Sequence, residues 1–159
     1  MPLFLPFFTR KVFASDGAIM LRVSRRDETD EKCGIVDSYS FDIYECASKQ
    51  YVGYVSIRIG DSPELYYLGH IGYRIEKSFR GHGYAFRACT LLIPFLQKMR
   101  LLDLVITTDP SNYPSVKTCL KLHCVLEQTV PVPEKYQPVC SGSQAKCRFI
   151  WKIPKAQGA

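Results

Sequence analysis

The feature that most constrains this 159-residue chain is a strand, a glycine-containing turn and an amphipathic helix in direct succession. The strand is Ile71–Ile75, the turn is residues 80–85 with the sequence RGHGYA, and the helix continues from there. Glycines let successive backbone N–H groups converge on one ligand, and a helix N-terminus adds partial positive charge. Because Arg80 adds a full positive charge, the arrangement predicts a binding site for a phosphate-bearing ligand.

Two common nucleotide-binding motifs do not match this turn. A dinucleotide fingerprint would require Gly or Ala where Phe86 stands, within a βαβ unit. A P-loop would require Gly-Lys-Ser or Gly-Lys-Thr at the start of the helix, and neither tripeptide occurs in the chain. The sequence therefore indicates neither of these nucleotide folds.

The formal net charge of +6 is unevenly distributed along the chain. Five basic residues and no acidic residue lie between Lys77 and Leu102, which indicates an anionic partner. This stretch is mostly apolar, whereas nucleic-acid binding favours a dense basic run with interleaved aromatic residues. We therefore expect a small phosphorylated ligand and no nucleic-acid partner. A basic nucleic-acid-binding domain is kept as an alternative hypothesis, ranked behind the two given at the end of this subsection.

The cysteines and the apolar segments indicate the setting of the protein. Seven cysteines form an odd set without a C-x-x-C pair, which argues against a disulfide framework and a structural zinc site. Cys119, His123 and Cys124 are close in sequence, but no fourth ligand has a suitable spacing. No apolar run approaches the length of about 20 residues that a bilayer span requires, and the apolar start at residues 1–8 lacks the features of a signal peptide. We expect a reducing, cytoplasmic setting, no metal and no membrane partner.

The length and composition predict one domain over residues 1–159, with residues 1–18 as an N-terminal extension. Period-two alternation in the first half predicts an antiparallel meander of strands. The strands are expected at residues 19–25, 39–46, 51–59 and 70–76, with turn-forming residues at 47–50 and 60–63.

The apolar period changes in the second half. From Tyr84 to Met99, apolar residues recur at three- and four-residue steps, which predicts an amphipathic helix that packs on the sheet. Residues 104–107 predict a short buried strand, and Asn112 is the expected N-cap of a second helix that ends near Leu122. Two last strands are expected at residues 125–130 and 147–153, joined by a loop over residues 131–146.

The turn and the order of the elements around it resemble the GNAT superfamily of N-acetyltransferases. The acetyl-CoA turn of that family has the pattern Gln/Arg-x-x-Gly-x-Gly/Ala, which Arg80, Gly83 and Ala85 match. A strand precedes the turn, a long helix follows it, and a buried strand and a helix opening with Asn112 come next, as in the family. The resemblance can be followed over residues 19–153. It implies an α+β fold with a mixed, mostly antiparallel sheet of six to seven strands, splayed in the middle, with helices on both faces.

The resemblance also implies acetyl-CoA as the co-substrate. Its pyrophosphate is expected on the backbone amides of the turn, its pantetheine arm along the strand as an additional strand, and Asn112 beside the pantetheine. Two strands that part after Ile75 would leave edge groups unpaired, and the amides of the cofactor can satisfy them. The residues expected to bind the cofactor are Tyr73, Ile75, Arg80, Gly81, His82, Gly83, Tyr84, Ala85 and Asn112.

The family's chemistry is usually direct attack by an amine on the thioester, which needs a base that takes the amine proton. His70 is the first candidate for the base, since it begins the strand expected to carry the cofactor and titrates near neutral pH. Glu64 and Glu76 are the next candidates. The alternative for His70 is a hydrogen bond at a strand end without a catalytic role.

The departing thiolate needs an acid, and here the sequence departs from the family. The usual acid is a tyrosine seven residues after the helix-opening asparagine, and Cys119 occupies that place. A thiol can donate a proton, but a buried cysteine can equally be a packing residue. The alternatives are Tyr113, Tyr84 or water as the donor, or no acid at all.

The acceptor side departs from the family as well, because the family usually inserts one or two helices between its first two strands. Only residues 27–37 are available here, so the pocket should be more open, or completed by the 131–146 loop or by a second subunit of a homodimer. The expected function is transfer of an acetyl group to a primary amine of a small molecule or a protein. The alternative is a non-catalytic sensor that binds acetyl-CoA, which the missing tyrosine allows.

Overall fold

The computed structural model describes residues 11–26 and 29–157, and the apolar segment at residues 1–8 lies outside them. Within the described residues, eight strands form one sheet in the order β1-β2-β3-β4-β5-β6-β8-β7. The strands are β1 (Val12–Ser15), β2 (Ile19–Arg26), β3 (Ile35–Glu45), β4 (Tyr51–Gly60), β5 (Ile71–Ile75), β6 (Asp103–Thr108), β7 (Val125–Pro131) and β8 (Ala145–Lys152). The sheet has one strand more than expected, because residues 12–15 of the predicted extension pair with β2.

Three α-helices accompany these strands in the described part of the chain: α1 (Pro63–Leu68), α2 (Tyr84–Lys98) and α3 (Tyr113–Lys121). Four 3-10 helices lie at Glu31–Cys33, Lys77–Phe79, Glu134–Tyr136 and Pro138–Cys140. α2 and α3 were predicted, and the predicted N-cap Asn112 accepts a hydrogen bond from Ser115 N at 3.3 Å. No described helix is long and apolar enough to cross a membrane.

α1 was not predicted, because its start coincides with residues that favour a turn. The Ser62 hydroxyl accepts a hydrogen bond from Leu65 N at 3.0 Å and caps the helix, and Pro63 follows in the first turn. The residues that end β4 therefore also begin α1.

Strand alternation separates the two faces of the sheet. Val55, Ile57 and Ile71 are buried with the apolar residues of α2, so α2 covers this face. α3 lies on the same face, since Cys119 belongs to the same buried cluster. α1 lies on the opposite face, where Thr107 Oγ1 donates to two α1 carbonyl oxygens at 2.9 Å each. Helices on both faces agree with the predicted fold class.

The sheet parts between β5 and β6. These two parallel strands share the single register pair Ile71↔Ile106 among the described residues, whereas the antiparallel pairing of β4 with β5 continues to Gly53↔Ile75. The predicted splay in the middle of the sheet is confirmed. It leaves the edge of β5 beyond Ile71 facing an opening.

Candidate functional site

The turn between β5 and α2 has the backbone conformation that its glycines predict. Gly81 has φ +87° and Gly83 has φ +72°, a region that residues with a Cβ rarely adopt. α2 begins at Tyr84 and no side chain caps its N-terminus. The first N–H groups of α2 therefore lack partners within the helix, and such groups form an anion-binding site.

Two cations flank this turn. Arg80 Nε donates to Ile75 O at 2.9 Å, which fixes the side chain against the end of β5. Lys121 reaches the turn from α3: its Nζ lies 4.5 Å from the centroid of the Phe86 ring, and 3.7 Å from where a Cβ on Gly83 would be. Sequence reasoning missed Lys121, because only the packing of α3 against α2 brings it to the turn.

The remaining turn residues have structural contacts. His82 Nδ1 lies 3.0 Å from Phe79 O, and its ring stacks on Tyr84 with centroids 5.3 Å apart. The Tyr84 hydroxyl donates to Glu45 Oε2 at 2.5 Å, and this bond lowers the pKa of Glu45. Ala85 is buried beneath the turn. These contacts hold the turn in one conformation, and the Tyr84 hydroxyl is already engaged.

The edge of β5 offers backbone groups to a ligand. Glu76 N donates to Val52 O at 2.8 Å, and Arg58 N donates to His70 O at 2.7 Å. Antiparallel strands alternate in the direction of their backbone groups, so this register turns the N–H and C=O groups of Tyr73 and Ile75 away from β4. They face the opening where β6 has parted, although Ile75 O is taken by Arg80.

A cavity of about 290 Å³ lies where β5 and β6 part. Strand alternation places its lining residues on both faces of the sheet. The residues nearest α3 are Tyr73, Asn112 and Ser115, and those on the opposite face include Tyr54, Arg58, Val139, Cys140, Ser141, Ser143 and Lys146. The loop predicted at residues 131–146 thus contributes one wall.

Tyr73, on β5, lines this cavity, and its hydroxyl contacts α3. The hydroxyl lies 2.9 Å from Ser115 Oγ and 3.9 Å from Cys119 Sγ, both on α3. Burial, with the thiols of Cys119 and Cys89 nearby, raises the pKa of Tyr73, so the hydroxyl stays protonated at neutral pH. A phenol therefore lies beside Cys119, although the chain carries no tyrosine at that position of α3.

Cys119 itself is fully buried and does not line the cavity. Its hydrogen bond with Cys124 lowers the pKa of the Cys119 thiol and raises that of Cys124. Among the described residues, no three metal-ligating side chains come together around these cysteines or elsewhere.

His70 is held by backbone contacts at the start of β5. Its Nδ1 accepts a hydrogen bond from Val105 N at 3.0 Å, and the backbone N–H of His70 donates to Val105 O at 2.8 Å. Burial lowers the pKa of the imidazole, and a hydrogen bond with the Gly60 backbone only partly opposes this. The ring is therefore neutral and joins β5 to β6.

Several other sequence candidates lie outside the cavity lining. The lining of the cavity does not include His70, Glu76 or Glu64. Tyr113, a candidate acid, is 70% exposed and does not line it either. The predicted acid–base residues are thus not gathered in this cavity, whereas the predicted cofactor residues Tyr73 and Asn112 meet there.

The charged residues of the lining are Arg58, Asp109 and Lys146. Lys146 Nζ lies 2.8 Å from Asp109 Oδ1. Burial alone would raise the pKa of Asp109, but hydrogen bonds from Lys146 and Ser143 outweigh it and hold that pKa below its usual value. No sequence signal singled out Arg58, Asp109 or Lys146, because strands and a loop far apart in sequence bring them together.

Comparisons with known proteins agree with this arrangement. A family profile described as "Acetyltransferase (GNAT) domain" matches residues 9–125, more than half of the chain. No curated protein sequence matches.

Solved acetyltransferase structures share the fold. A ribosomal-protein-S5-alanine acetyltransferase from Vibrio fischeri superposes with TM-score 0.58 and 22% identity, covering 73% of this chain and 62% of that one. A proposed ribosomal-protein-serine acetyltransferase from Vibrio cholerae superposes with TM-score 0.56 and 29% identity, covering 74% of this chain and 64% of that one. The microcin C7 self-immunity acetyltransferase in complex with acetyl-CoA and AMP superposes with TM-score 0.57 and 23% identity, covering 73% of this chain and 61% of that one. The chain spans less than two thirds of the length of each of these structures.

The splayed sheet and the uncapped glycine turn at the start of α2 agree with the profile match, and the chain belongs to the GNAT acetyltransferase family.

Proposed function

We propose that this chain transfers the acetyl group of acetyl-CoA to a primary amine. The observation that carries the proposal is the parting of β5 from β6. Around that opening the chain supplies an uncapped helix N-terminus, a free strand edge and a polar cavity. The helix N-terminus suits the phosphates of acetyl-CoA, the strand edge suits its amide arm, and the cavity suits its reactive end.

The residues around the opening fit acetyl-CoA in chemical character. The amides from Gly81 to Ala85 would bind the pyrophosphate, with Arg80 and Lys121 adding positive charge. The backbone of Tyr73 would pair with the pantetheine amides. Asn112 uses Oδ1 to cap α3, so its side-chain NH₂ group remains to donate to a pantetheine carbonyl.

Acetyl-CoA supplies a thioester that an amine can attack. The amine nitrogen forms an amide bond with the acetyl carbon as the carbon–sulfur bond breaks, one proton leaves the nitrogen, and one reaches the sulfur. Positioned proton transfer of this kind typically contributes a factor of about 10²–10⁴ to the rate. The chain's task is to position groups that give and take these protons.

Tyr73 is the proposed donor to the departing sulfur. Tyr73 lines the cavity, and its hydroxyl is oriented by Ser115 Oγ at 2.9 Å. Cys119 is smaller than the tyrosine usual at its position, and the hydroxyl of Tyr73 lies beside it. We infer that the phenol comes from β5 in this chain, and that Cys119 is a packing residue.

The proton of the amine is proposed to pass to water in the cavity. His70 and Glu76 remain hypotheses as bases, but Nδ1 of His70 would first have to give up its hydrogen bond from Val105 N. Asp109 is the one carboxylate among the lining residues, and its low pKa suits it to orient the amine rather than to hold a proton.

The acceptor is proposed to be a protein N-terminus or a small-molecule amine. Two of the similar structures are described as acting on ribosomal proteins, which supports a protein amine. Residues 139–146 already form one wall of the cavity, so the proposal needs no second subunit. The free cysteines support the reducing, cytoplasmic setting expected for such a partner.

The proposal is tested by measuring CoA release from acetyl-CoA with a panel of peptide N-termini, lysine-containing peptides, polyamines and amino acids. We expect release above the rate of hydrolysis with at least one class of amine. Tight CoA binding with no release above hydrolysis for any amine would contradict the proposal and favour the sensor.

A further inference from the structure

Arg58 is a cation in the cavity wall that no described carboxylate neutralises. Its NH1 donates to Gly69 O at 3.1 Å, the one hydrogen bond its side chain makes within the described residues. The guanidinium packs over Gly72, where an added Cβ would lie 2.5 Å from NH2. A guanidinium carries five N–H donors, so most of its donor capacity is left for a ligand.

Arg58 is half-buried, and its unpaired N–H groups are not sealed from solvent. Burial lowers the pKa of the guanidinium, and the group nevertheless stays charged near neutral pH. A positive charge in a partly desolvated cleft favours an anionic ligand over a neutral one. The open donors of Arg58 therefore suit an anionic group that enters the cavity.

The same cavity also contains the carboxylate of Asp109, whose side chain is 43% exposed. Asp109 Oδ1 accepts from both Ser143 Oγ at 2.6 Å and Lys146 Nζ at 2.8 Å. Oδ2 makes no hydrogen bond with the described part of the chain. Because Lys146 pairs with Asp109, the three charged lining residues sum to one net positive charge, which belongs to Arg58.

We propose that the cavity selects an amine acceptor that also carries a carboxylate, with Arg58 binding the carboxylate and Asp109 Oδ2 accepting a hydrogen bond from the amine. The inference rests on the proposed function, in which this cavity holds the acceptor. A planar guanidinium matches a carboxylate with two parallel hydrogen bonds, which gives orientation as well as affinity. The carboxylate can belong to a free amino acid or to an acidic residue next to a peptide N-terminus.

The test uses paired acceptors, of which one carries a negative charge that the other lacks. Each amino acid is compared with its amide, and each amidated peptide with an acidic second residue is compared with its Asn or Gln counterpart. For at least one pair we expect kcat/KM to be higher for the charged acceptor by about tenfold or more, the factor that a hydrogen bond to a charged group supplies. The pair that shows the preference identifies the source of the carboxylate.

Arg58→Gln should reduce this preference to about one, because it removes the guanidinium charge and its paired donors, so kcat/KM should fall more for the charged acceptor than for the uncharged one. Lys135→Gln is the matched control, because it removes the same charge from an exposed side chain of the 131–146 loop that is not part of the lining. Unchanged CoA affinity and Tm show that the Arg58 variant is folded. If wild-type protein shows no preference in any pair, the inference is wrong, whatever the variants do.

A binding measurement separates this inference from the proposed function. Calorimetric titration of CoA-bound protein with the charged acceptors should give binding that Arg58→Gln loses and Lys135→Gln keeps. That result supports the inference even if no amine is acetylated. Release of CoA with uncharged amines, combined with no preference for charged ones, would overturn the inference and leave the proposed function intact.

Discussion

Gly81→Ala is expected to weaken CoA binding far more than its matched control Gly17→Ala, although both substitutions strain the backbone equally. Gly81 has φ +87° and Gly17 has φ +88°, and a Cβ added at either position would meet no atom within 4 Å. The structural cost at each is therefore the left-handed conformation alone, about 1–2 kcal/mol for a residue with a Cβ. For a chain of this size, each kcal/mol lowers Tm by about 2–4 °C.

The two variants should differ only in ligand binding. Gly17 lies in the turn between β1 and β2, outside residues 80–85, so its variant should bind CoA with wild-type affinity. At Gly81 the methyl group would occupy space beside the turn amides, and relief of its strain would rotate those amides away from a common anion. We expect the Kd for CoA to rise by about tenfold or more, which corresponds to about 1.4 kcal/mol.

Calorimetric titration with CoA gives both affinities, and thermal denaturation gives the matched loss of stability. Acetyl-CoA should raise the Tm of wild-type protein by mass action, whereas NAD and ATP should change it little. Equal losses of CoA affinity in the two variants would show that backbone strain, and not the site, is responsible. Wild-type affinity in Gly81→Ala would place the phosphates elsewhere.

Three further substitutions address the proton-transfer groups. His70→Asn keeps an acceptor near Nδ1 for Val105 N, so turnover should persist, and a large drop in kcat would make His70 the base. Because the pKa of His70 is lowered from 6.5, the free energy of unfolding of wild-type protein should fall as pH decreases below 6.5. The variant should lose that part of the pH dependence. Tyr73→Phe should lower kcat by a factor of about 10²–10⁴ with unchanged CoA affinity. If Cys119 only packs, Cys119→Ala should lower kcat less than about threefold. A larger loss of kcat in the Cys119 variant than in the Tyr73 variant would make the thiol the acid.

Local chemistry predicted the parts of the fold that depend on neighbouring residues. The N-cap Asn112 and the positive φ angles of Gly81 and Gly83 follow from side-chain and backbone preferences within a few residues. Two elements, β1 and α1, were not predicted because they are too short to show a pattern. Residues 12–15 are mostly exposed and too few to alternate visibly, and α1 spans six residues, too few for a helical period.

The composition of the cavity could not be predicted, because it depends on contacts between distant parts of the chain. Arg58, Tyr73 and Lys146 come from three strands, β4, β5 and β8, and no spacing in the sequence relates them. His70 illustrates the same limit: its type and position indicated a base, but its partner Val105 lies 35 residues away. Likewise, the phenol beside Cys119 comes from β5, so inspection of α3 alone indicated that a tyrosine was missing.

The acetyl group is proposed to pass directly from the cofactor to an amine, and an isotopically labelled acetyl group shows where it goes. After mixing protein, labelled acetyl-CoA and a reactive amine, mass spectrometry would be applied to the small molecules and to the intact protein at successive times. We predict that the label on the amine nitrogen equals the CoA released, with no labelled protein at any time. Label on a protein thiol such as Cys119, or label recovered only as acetate, would contradict the account.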